Sequence, residues 1–241
     1  MKLLYRIYQL LIVLPLGVAC TIVAATITSI GCTFGNGHFW GYHPARIWAW
    51  TICRLLLLPV RVERHADISD NQSYVFIANH QGSLDIFLVY AFLGRNFKWM
   101  MKQSLRNIPF VGYACMKSRH IFVDNTKASH IKHSIEQGRD ILQGGTSLTV
   151  FPEGARTFTG KMRPFHKGAF SLACELGLPI VPITINGCFR ALPRTKGFYF
   201  VNWTPLELII HRPIDTRNYT ADTMNELMDE SHRIIESRLK D

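Results

Sequence analysis

The 241-residue sequence predicts an α/β protein: a mixed, mostly buried sheet flanked by helices and preceded by an N-terminal hydrophobic membrane helix or two-helix hairpin. Two observations predict this class. Beyond residue 62, short runs rich in Val, Ile and Phe alternate with helix-like segments, which is typical of a sheet covered by helices. Before that point, residues 7–45 contain no Lys, Arg, Asp or Glu, so an uncharged, largely apolar segment opens the chain.

The N-terminal segment predicts a membrane anchor over residues 1–62. Ile7–Ile30 is nearly all apolar and, at ~1.5 Å per residue, is long enough to cross the hydrocarbon core. A cleaved signal peptide fits poorly because the apolar character continues past every candidate cleavage site, and a lipoprotein site at Cys20 fits less well still. A second stretch, His38–Val60, is rich in Trp and Tyr, which favour the membrane interface. Spanning and re-entrant arrangements both remain open.

The elements after the anchor follow from local composition and periodicity. Runs of β-branched and aromatic residues indicate strands, and apolar residues at helical spacing indicate helices. The predicted strands are Ser73–Ala78, Phe97–Met101, His120–Val123, Ser147–Phe151, Ile180–Ile185, Gly197–Val201 and Leu206–His211. The predicted helices are Ser83–Leu93, Ala128–Gln143, Gly168–Leu176 and Ala221–Leu239.

Positive charge dominates the middle of the chain. The formal net charge is +10, and residues 95–167 carry 13 Lys or Arg against 4 Asp or Glu. Such a field attracts nucleic acid, anionic lipid headgroups and phosphorylated substrates alike. The apolar N-terminus decides among them: we expect a membrane protein in contact with an anionic membrane surface, and no nucleic-acid partner.

The six cysteines show no metal-ligand spacing. None falls in a C-x-x-C pair, and Cys20, Cys32 and Cys53 lie in the apolar N-terminal region. Cysteines in such positions are typical of reduced, buried small residues. We therefore expect neither a metal site nor a disulfide framework.

A histidine and an aspartate lie five positions apart where a predicted strand gives way to a helix, in the stretch Asn79-His80-Gln-Gly-Ser-Leu-Asp85. Gly82 would supply a tight turn, and Ser83 a cap for a helix with Asp85 in its first turn. Capping explains the serine and the aspartate but not His80. If Asp85 accepts the Nδ1 proton, the Nε2 atom of His80 can take a proton from a hydroxyl. Because no G-x-S-x-G elbow occurs, the expected nucleophile is the substrate's own alcohol.

A second polar motif, Val-Phe-Pro-Glu-Gly-Ala-Arg-Thr at residues 150–157, also follows a predicted strand. Pro152 would stop the strand pairing, and Gly154 would permit a sharp turn. On such a turn Arg156 is suited to giving a phosphate two parallel hydrogen bonds. Glu153 would accept a bond from a substrate hydroxyl or anchor that arginine. A solvent-exposed turn with an ion pair is the plainer alternative.

Together the two motifs resemble the glycerolipid acyltransferase superfamily, whose members carry an NH-x4-D block followed by an FPEG-T/S-R-like block. The resemblance is greatest to bacterial 1-acyl-sn-glycerol-3-phosphate acyltransferases, which share the small size and the N-terminal hydrophobic segment. It spans residues 73–190. Two further blocks fit in part: Lys102 to Gly112, similar to the family's lysine-to-glycine stretch, and Val181-Pro182-Ile183, similar to its closing V-P-I strand. Either main block alone would be a weak signal, but their order and separation are specific.

The resemblance implies an activity and a set of site residues. His80 would act as general base on the free hydroxyl of 1-acyl-glycerol-3-phosphate, and Asp85 would orient it. The substrate-binding positions would be Asn79, Lys102, Glu153, Gly154 and Arg156. An acyl chain from acyl-CoA or acyl carrier protein would give phosphatidic acid without a metal or redox cofactor. Residues 63–241 would form the acyltransferase catalytic domain, on the cytoplasmic face of the inner membrane.

The sequence departs from the family at Asn125, where an arginine is usual. Either another cation contacts the phosphate, with Lys102, Arg119 and Lys127 as candidates, or the acceptor is different, as in a lyso-ornithine lipid, a lyso-glycine lipid or another lysophospholipid. Two alternatives change the class of protein. A thioester hydrolase would activate water in the same pocket, and a non-catalytic basic membrane adaptor would leave the histidine–aspartate pair without a reason.

Overall fold

A long apolar helix opens the chain in the computed structural model of the protein, which describes residues 2–123, 136–142, 145–194, 199–220 and 222–240. This helix, α1, covers Lys2–Phe34 and widens into π-helical geometry over Gln9–Val13. The widening comes just before Pro15, which has no N–H to bond back to the preceding turn.

Two further helices, α2 (Gly37–Trp40) and α3 (His43–Leu55), bring the chain back against α1. The return begins at Asn36, whose side-chain oxygen accepts two backbone N–H groups at the start of α2. Trp48 on α3 donates from Nε1 to the Thr21 hydroxyl on α1 at 2.9 Å. The two hydrophobic stretches therefore form a helical hairpin, one of the two arrangements predicted.

Helix α1 is also bonded to the chain beyond the hairpin. The Tyr5 hydroxyl donates to the carbonyl of Leu56 at 2.6 Å. Gln9 is buried and pairs twice with the backbone of Val201, donating to its carbonyl and accepting its N–H, both at 2.8 Å. The outer side of α1 is exposed, because only 11% of its most apolar window is buried, and that window has a mean hydropathy of 2.5. By length and composition α1 is able to cross a membrane.

Seven strands of the described residues form one mixed sheet. They are β1 (Val60–Arg64), β2 (Val75–Ala78), β3 (Phe97–Lys102), β4 (Ile121–Val123), β5 (Ser147–Val150), β6 (Ile180–Asn186) and β7 (Leu206–Ile210). Their order is β1-β7-β6-β2-β5-β3-β4, and neighbours are parallel except for the antiparallel pair β6 and β7. The carboxyl ends of the parallel strands β2, β5 and β3 lie along the same edge of the sheet, which we call the carboxyl edge. The loops that follow these strands meet there.

Helices cover both faces of this sheet. They are α4 (Leu84–Phe92), α5 (Val111–Lys117), α6 (Gly168–Leu176), α7 (Cys188–Ala191) and α8 (Met224–Glu236), with a 3₁₀ turn at Gln103–Asn107. Successive residues of β2 enter different cores: Phe76 packs in the cluster that holds Leu88 of α4, and Ile77 in the cluster that holds Phe170 of α6. Since both faces are covered, every residue of β2 is buried.

The predicted α/β class is confirmed, but its first strand was missed. Strand β1 lies at the sheet edge with three exposed residues, and its Arg61, Glu63 and Arg64 hide the strand pattern in the sequence. Because β1 pairs with β7 from Val60 onward, the predicted domain boundary after residue 62 divides a strand. The sheet begins at Val60.

Two other predicted elements differ from the structure or fall partly outside it. Gly197–Val201 was predicted as a strand, but residues 199–201 are not, because the backbone of Val201 pairs with the Gln9 side chain instead of a neighbouring strand. Residues 197–198 lie outside the described residues. Of the predicted helix Ala128–Gln143, residues 136–141 are helical, and residues 128–135 and 143 lie outside the described residues.

Gln9→Leu should destabilise the protein, because it leaves the buried N–H and C=O of Val201 without partners. We expect a loss of about 2 kcal/mol, which in a chain of this size lowers Tm by about 4–8 °C. Thermal unfolding in detergent, followed by circular dichroism, measures the change. Leu11→Ala, at an exposed position of the same helix, is the control and should keep Tm within about 2 °C. An unchanged Tm for Gln9→Leu would contradict the docking role of Gln9.

Candidate active site

His80 and Asp85 meet where β2 gives way to α4. His80 follows the last residue of β2 by two positions, and Asp85 lies in the first turn of α4. The Nδ1 atom of His80 and the Oδ2 atom of Asp85 are 2.7 Å apart. A histidine that donates its Nδ1 proton to a carboxylate is held in one tautomer and one orientation. The sequence spacing predicted this contact.

Asp85 also fixes the connection between β2 and α4, residues 79–85, which we call the first turn of the site. Its Oδ2 atom accepts the backbone N–H groups of Gln81 at 2.7 Å and Gly82 at 2.8 Å. These donors compensate a fully buried carboxylate for the loss of water. Gly82 allows close packing here, because a Cβ atom would lie only 3.0 Å from the carbonyl oxygen of Leu192.

Phe151 stacks on one face of the His80 ring. The ring lies parallel to Phe151, with centroids 3.8 Å apart and an interplanar angle of 6°, and Phe151 stacks in turn on Trp99 at 5.2 Å. The His80 side chain is 14% exposed. Within the described part of the chain, its Nε2 atom makes no hydrogen bond. The atom opposite Asp85 is therefore placed to take a proton from a bound molecule.

Glu153 supports the backbone of His80. Its Oε1 atom accepts the N–H of His80 at 2.7 Å, and its Oε2 atom accepts the N–H of Arg163 at 2.9 Å. The residue is 1% exposed. Burial raises the pKa of the Glu153 carboxyl, and the two backbone donors act against that rise. The bond from Glu153 to Arg156, one of two alternatives predicted, is not formed: both carboxylate oxygens accept backbone N–H groups, and Arg156 donates to Ser83 instead. A contact of Glu153 with a substrate hydroxyl stays a prediction.

Arg156 lies on the second turn, residues 151–157, which contacts the first turn twice more. The N–H of Thr157 donates to the carbonyl of His80 at 2.9 Å, and an Nη1 atom of Arg156 donates to the Ser83 hydroxyl. Gly154 has a φ of 70°, which favours glycine, and so permits the sharp bend predicted there. The second turn thus carries a guanidinium to the start of α4, beside His80.

Asn79 has a structural role. Its side chain is fully buried, donates to the carbonyl of Ile185 at 2.8 Å and accepts the N–H of Ile185 at 2.7 Å. These bonds continue the pairing of β2 with β6 beyond its last backbone contact. Since both ends of the amide are bonded to protein, this geometry gives no support to a substrate contact, which remains a prediction.

Lys102 and Arg119, two cations considered as replacements for the usual arginine, lie at opposite edges of the sheet. Lys102 is the exposed last residue of β3, at the same edge as the two turns. Arg119 precedes β4, which runs parallel to β3, so its backbone lies toward the amino ends of these strands, which gives no support to a contact with this site. Asn125 and Lys127 lie outside the described residues.

Sequence reasoning did not select Phe151, Trp99 or Arg194. Phe151 stands next to the selected Pro152, but nothing in the sequence shows that it stacks on His80. Arg194 follows α7 and donates from Nη1 to the carbonyl of Arg156 at 2.8 Å. The only sequence signal for Arg194 is a basic residue shortly after the closing V-P-I block. In the described ranges no group of three or more His, Cys, Asp or Glu side chains is arranged to hold a metal ion.

Comparison with known proteins places the chain in one family. The family model described as Acyltransferase matches residues 59–186. A 1-acyl-sn-glycerol-3-phosphate acyltransferase of Saccharomyces cerevisiae is 30% identical over 244 residues, which cover 100% of this chain and 79% of that protein. The chloroplastic 1-acyl-sn-glycerol-3-phosphate acyltransferase BAT2 of Brassica napus is 30% identical over 167 residues, or 65% of this chain and 48% of that protein.

A solved structure is similar over most of the chain. The crystal structure of the 1-acyl-sn-glycerophosphate acyltransferase PlsC from Thermotoga maritima matches with a TM-score of 0.68 and 25% identity, covering 80% of this chain and 76% of that one. The chain belongs to the acyltransferase family, and it is an enzyme. The predicted resemblance to glycerolipid acyltransferases of the 1-acyl-sn-glycerol-3-phosphate type is thereby confirmed.

Asp85→Asn should lower turnover while the first turn stays folded. The Oδ1 atom of Asp85 has no hydrogen-bond partner in the described residues, so an asparagine can keep its oxygen at the Oδ2 position and place its amide at the other. The bonds to Gln81 and Gly82 then persist, but the negative charge behind the His80 imidazolium is lost. We expect kcat to fall by about 10²–10⁴-fold, measured as acyl transfer from a labelled thioester. A kcat within about twofold of wild type, with unchanged Tm, would contradict the orienting role of Asp85.

Proposed function

We propose that this enzyme transfers an acyl chain from a thioester to the free hydroxyl of 1-acyl-glycerol-3-phosphate and so forms phosphatidic acid. The observation that carries the proposal is the arrangement at one sheet edge: His80 is held by Asp85 with its Nε2 atom unbonded, and the Arg156 guanidinium lies nearby without a carboxylate partner among the described residues. The relatives, which are named 1-acyl-sn-glycerol-3-phosphate acyltransferases, support the same acceptor.

In the proposed reaction His80 first acts as base and then as acid. The Nε2 atom takes the proton of the acceptor hydroxyl, and the oxygen forms a bond to the thioester carbonyl carbon. The carbon–sulfur bond then breaks, and the leaving thiolate takes the proton from the imidazolium. Asp85 stabilises the imidazolium between these two steps. Phe151 and the backbone bonds from the second turn keep the ring in place throughout.

The donor is proposed to be acyl-CoA or acyl carrier protein, since both present the same thioester. Arg163, His166 and Lys167 follow the second turn and are exposed, so they suit the negatively charged groups of either donor. The reaction as written needs no metal or redox cofactor.

The site is proposed to work at a membrane surface. The exposed side of α1 is mostly apolar from Ile7 to Phe34, and Leu105, Ile108 and Phe110 add exposed apolar surface in the loop that follows Lys102 of β3. Arg106 in the same loop is exposed and suits anionic headgroups. Because α1 packs along the catalytic part, we favour an enzyme that inserts into one leaflet of the membrane without spanning it. The catalytic part would lie on the cytoplasmic face of the inner membrane.

Acyl transfer by the purified, detergent-solubilised enzyme tests the function. Labelled acyl-CoA and acyl carrier protein are offered in parallel with lysophosphatidic acid, lyso-ornithine lipid, lyso-glycine lipid, monoacylglycerol or no acceptor. We expect phosphatidic acid from lysophosphatidic acid, and a loss of several orders of magnitude in His80→Ala, which should still fold and bind membranes. Transfer only to a lyso-aminolipid would replace the proposed acceptor. Thioester cleavage without any transfer would indicate a hydrolase, and no reaction would favour the adaptor.

Arg156→Ala should act on acceptor binding. Loss of a charge-assisted hydrogen bond to phosphate costs about 1.5–3 kcal/mol, so we expect the KM for lysophosphatidic acid to rise roughly 10- to 100-fold. Monoacylglycerol, which lacks the phosphate, should show a much smaller change. Arg233→Ala removes a charge from an exposed position of α8 and serves as the matched control. Equal losses with both acceptors would rule out a phosphate contact for Arg156.

A further inference from the structure

The segment after β6 packs directly on the first turn. It consists of α7 and residues 192–194, and its contact is with Gly82: a Cβ atom there would lie 3.0 Å from the carbonyl oxygen of Leu192 and 3.1 Å from that of Cys188. The same segment therefore brings Arg194 to the site at the edge of β2 and β5, although Arg194 is more than 100 positions from His80 in the sequence.

Two contacts hold the Arg194 side chain next to Arg156. Its Nη1 atom donates to the Arg156 carbonyl at 2.8 Å, and its guanidinium lies over the Phe158 ring, 3.9 Å from the centroid. A guanidinium carries five N–H donors in one plane. Stacking uses the face and the carbonyl uses one donor, so the rest of the edge stays available to a ligand.

Neither arginine is neutralised by the protein. In the described part of the chain no carboxylate pairs with Arg156 or Arg194, and the acidic residue of the second turn, Glu153, has both oxygens bonded to backbone N–H groups. Two guanidinium groups without a carboxylate partner beside the proposed base attract an anion, and planar, paired N–H donors match the geometry of a phosphate monoester.

We propose that Arg194 binds the acceptor's phosphate together with Arg156. This inference rests on the proposed function and deepens it. It also accounts for Asn125: the cation that the family usually carries there is replaced from the segment after β6, instead of by Lys102 or Lys127.

Arg194→Gln and Arg194→Lys separate charge from positioning. Glutamine keeps an N–H donor for the Arg156 carbonyl but loses the charge, whereas lysine keeps both a donor and the charge. For Arg194→Gln we expect the KM for lysophosphatidic acid to rise roughly 10- to 100-fold, with the KM for the acyl thioester and the Tm unchanged. Arg194→Lys should recover at least part of the loss. Arg233→Gln, exposed on α8, controls for net charge.

Each other outcome overturns the inference. An unchanged acceptor KM in Arg194→Gln, with wild type active on lysophosphatidic acid, removes Arg194 from the phosphate site and leaves the proposed function standing. A rise in the donor KM instead assigns the arginine to the phosphates of acyl-CoA. Equal defects in both Arg194 variants, with a lowered kcat for monoacylglycerol as well, would mean that Arg194 only holds the second turn. Wild type inactive on lysophosphatidic acid overturns the function and the inference together.

Discussion

One buried carboxylate oxygen organises the catalytic edge of this enzyme. The Oδ2 atom of Asp85 accepts the ring proton of His80 and the N–H groups of Gln81 and Gly82. This one atom thereby fixes both the path of the backbone between β2 and α4 and the orientation of the His80 ring. A buried carboxylate in this position is costly without its hydrogen-bond donors, so the fold of the turn and the His80–Asp85 hydrogen bond stabilise each other.

The second turn extends this arrangement to the neighbouring strand. Glu153 accepts the N–H of His80, and the N–H of Thr157 donates to the His80 carbonyl, so two residues on either side of Arg156 in the second turn hold the backbone of His80. Since β2 and β5 are parallel neighbours, these bonds need no long loop to reach across. His80 and Arg156 are thus fixed relative to each other by strand register, and for the proposed reaction this is the kind of preorganisation that lowers the cost of reaching a transition state.

The parts of the site whose partners are close in the chain could be predicted from the sequence. His80 and Asp85 share one turn, and the strand before each motif is strongly apolar. The apolar pattern and the five-residue spacing were therefore sufficient to predict the strands and the contact between the two side chains. The roles of Asn79 and Glu153 were not visible, because their partners, Ile185 and Arg163, are set by strand order and loop packing rather than by local pattern. Strand β1 was missed for a related reason: an edge strand gains stability from pairing with β7, and its charged residues carry no apolar alternation. Arg194 likewise reaches the site only through the packing of α7 on Gly82.

The docking of α1 has a consequence for how the enzyme is handled. Gln9 holds Val201, the N–H of the next residue, Asn202, bonds to the carbonyl of Ala191 at the end of α7, and α7 packs on Gly82. Helix α1 is therefore joined by continuous contacts to the first turn. Deleting α1 would uncover the inner side of the hairpin and remove the support of α7, so biochemistry on this protein calls for a chain that keeps α1.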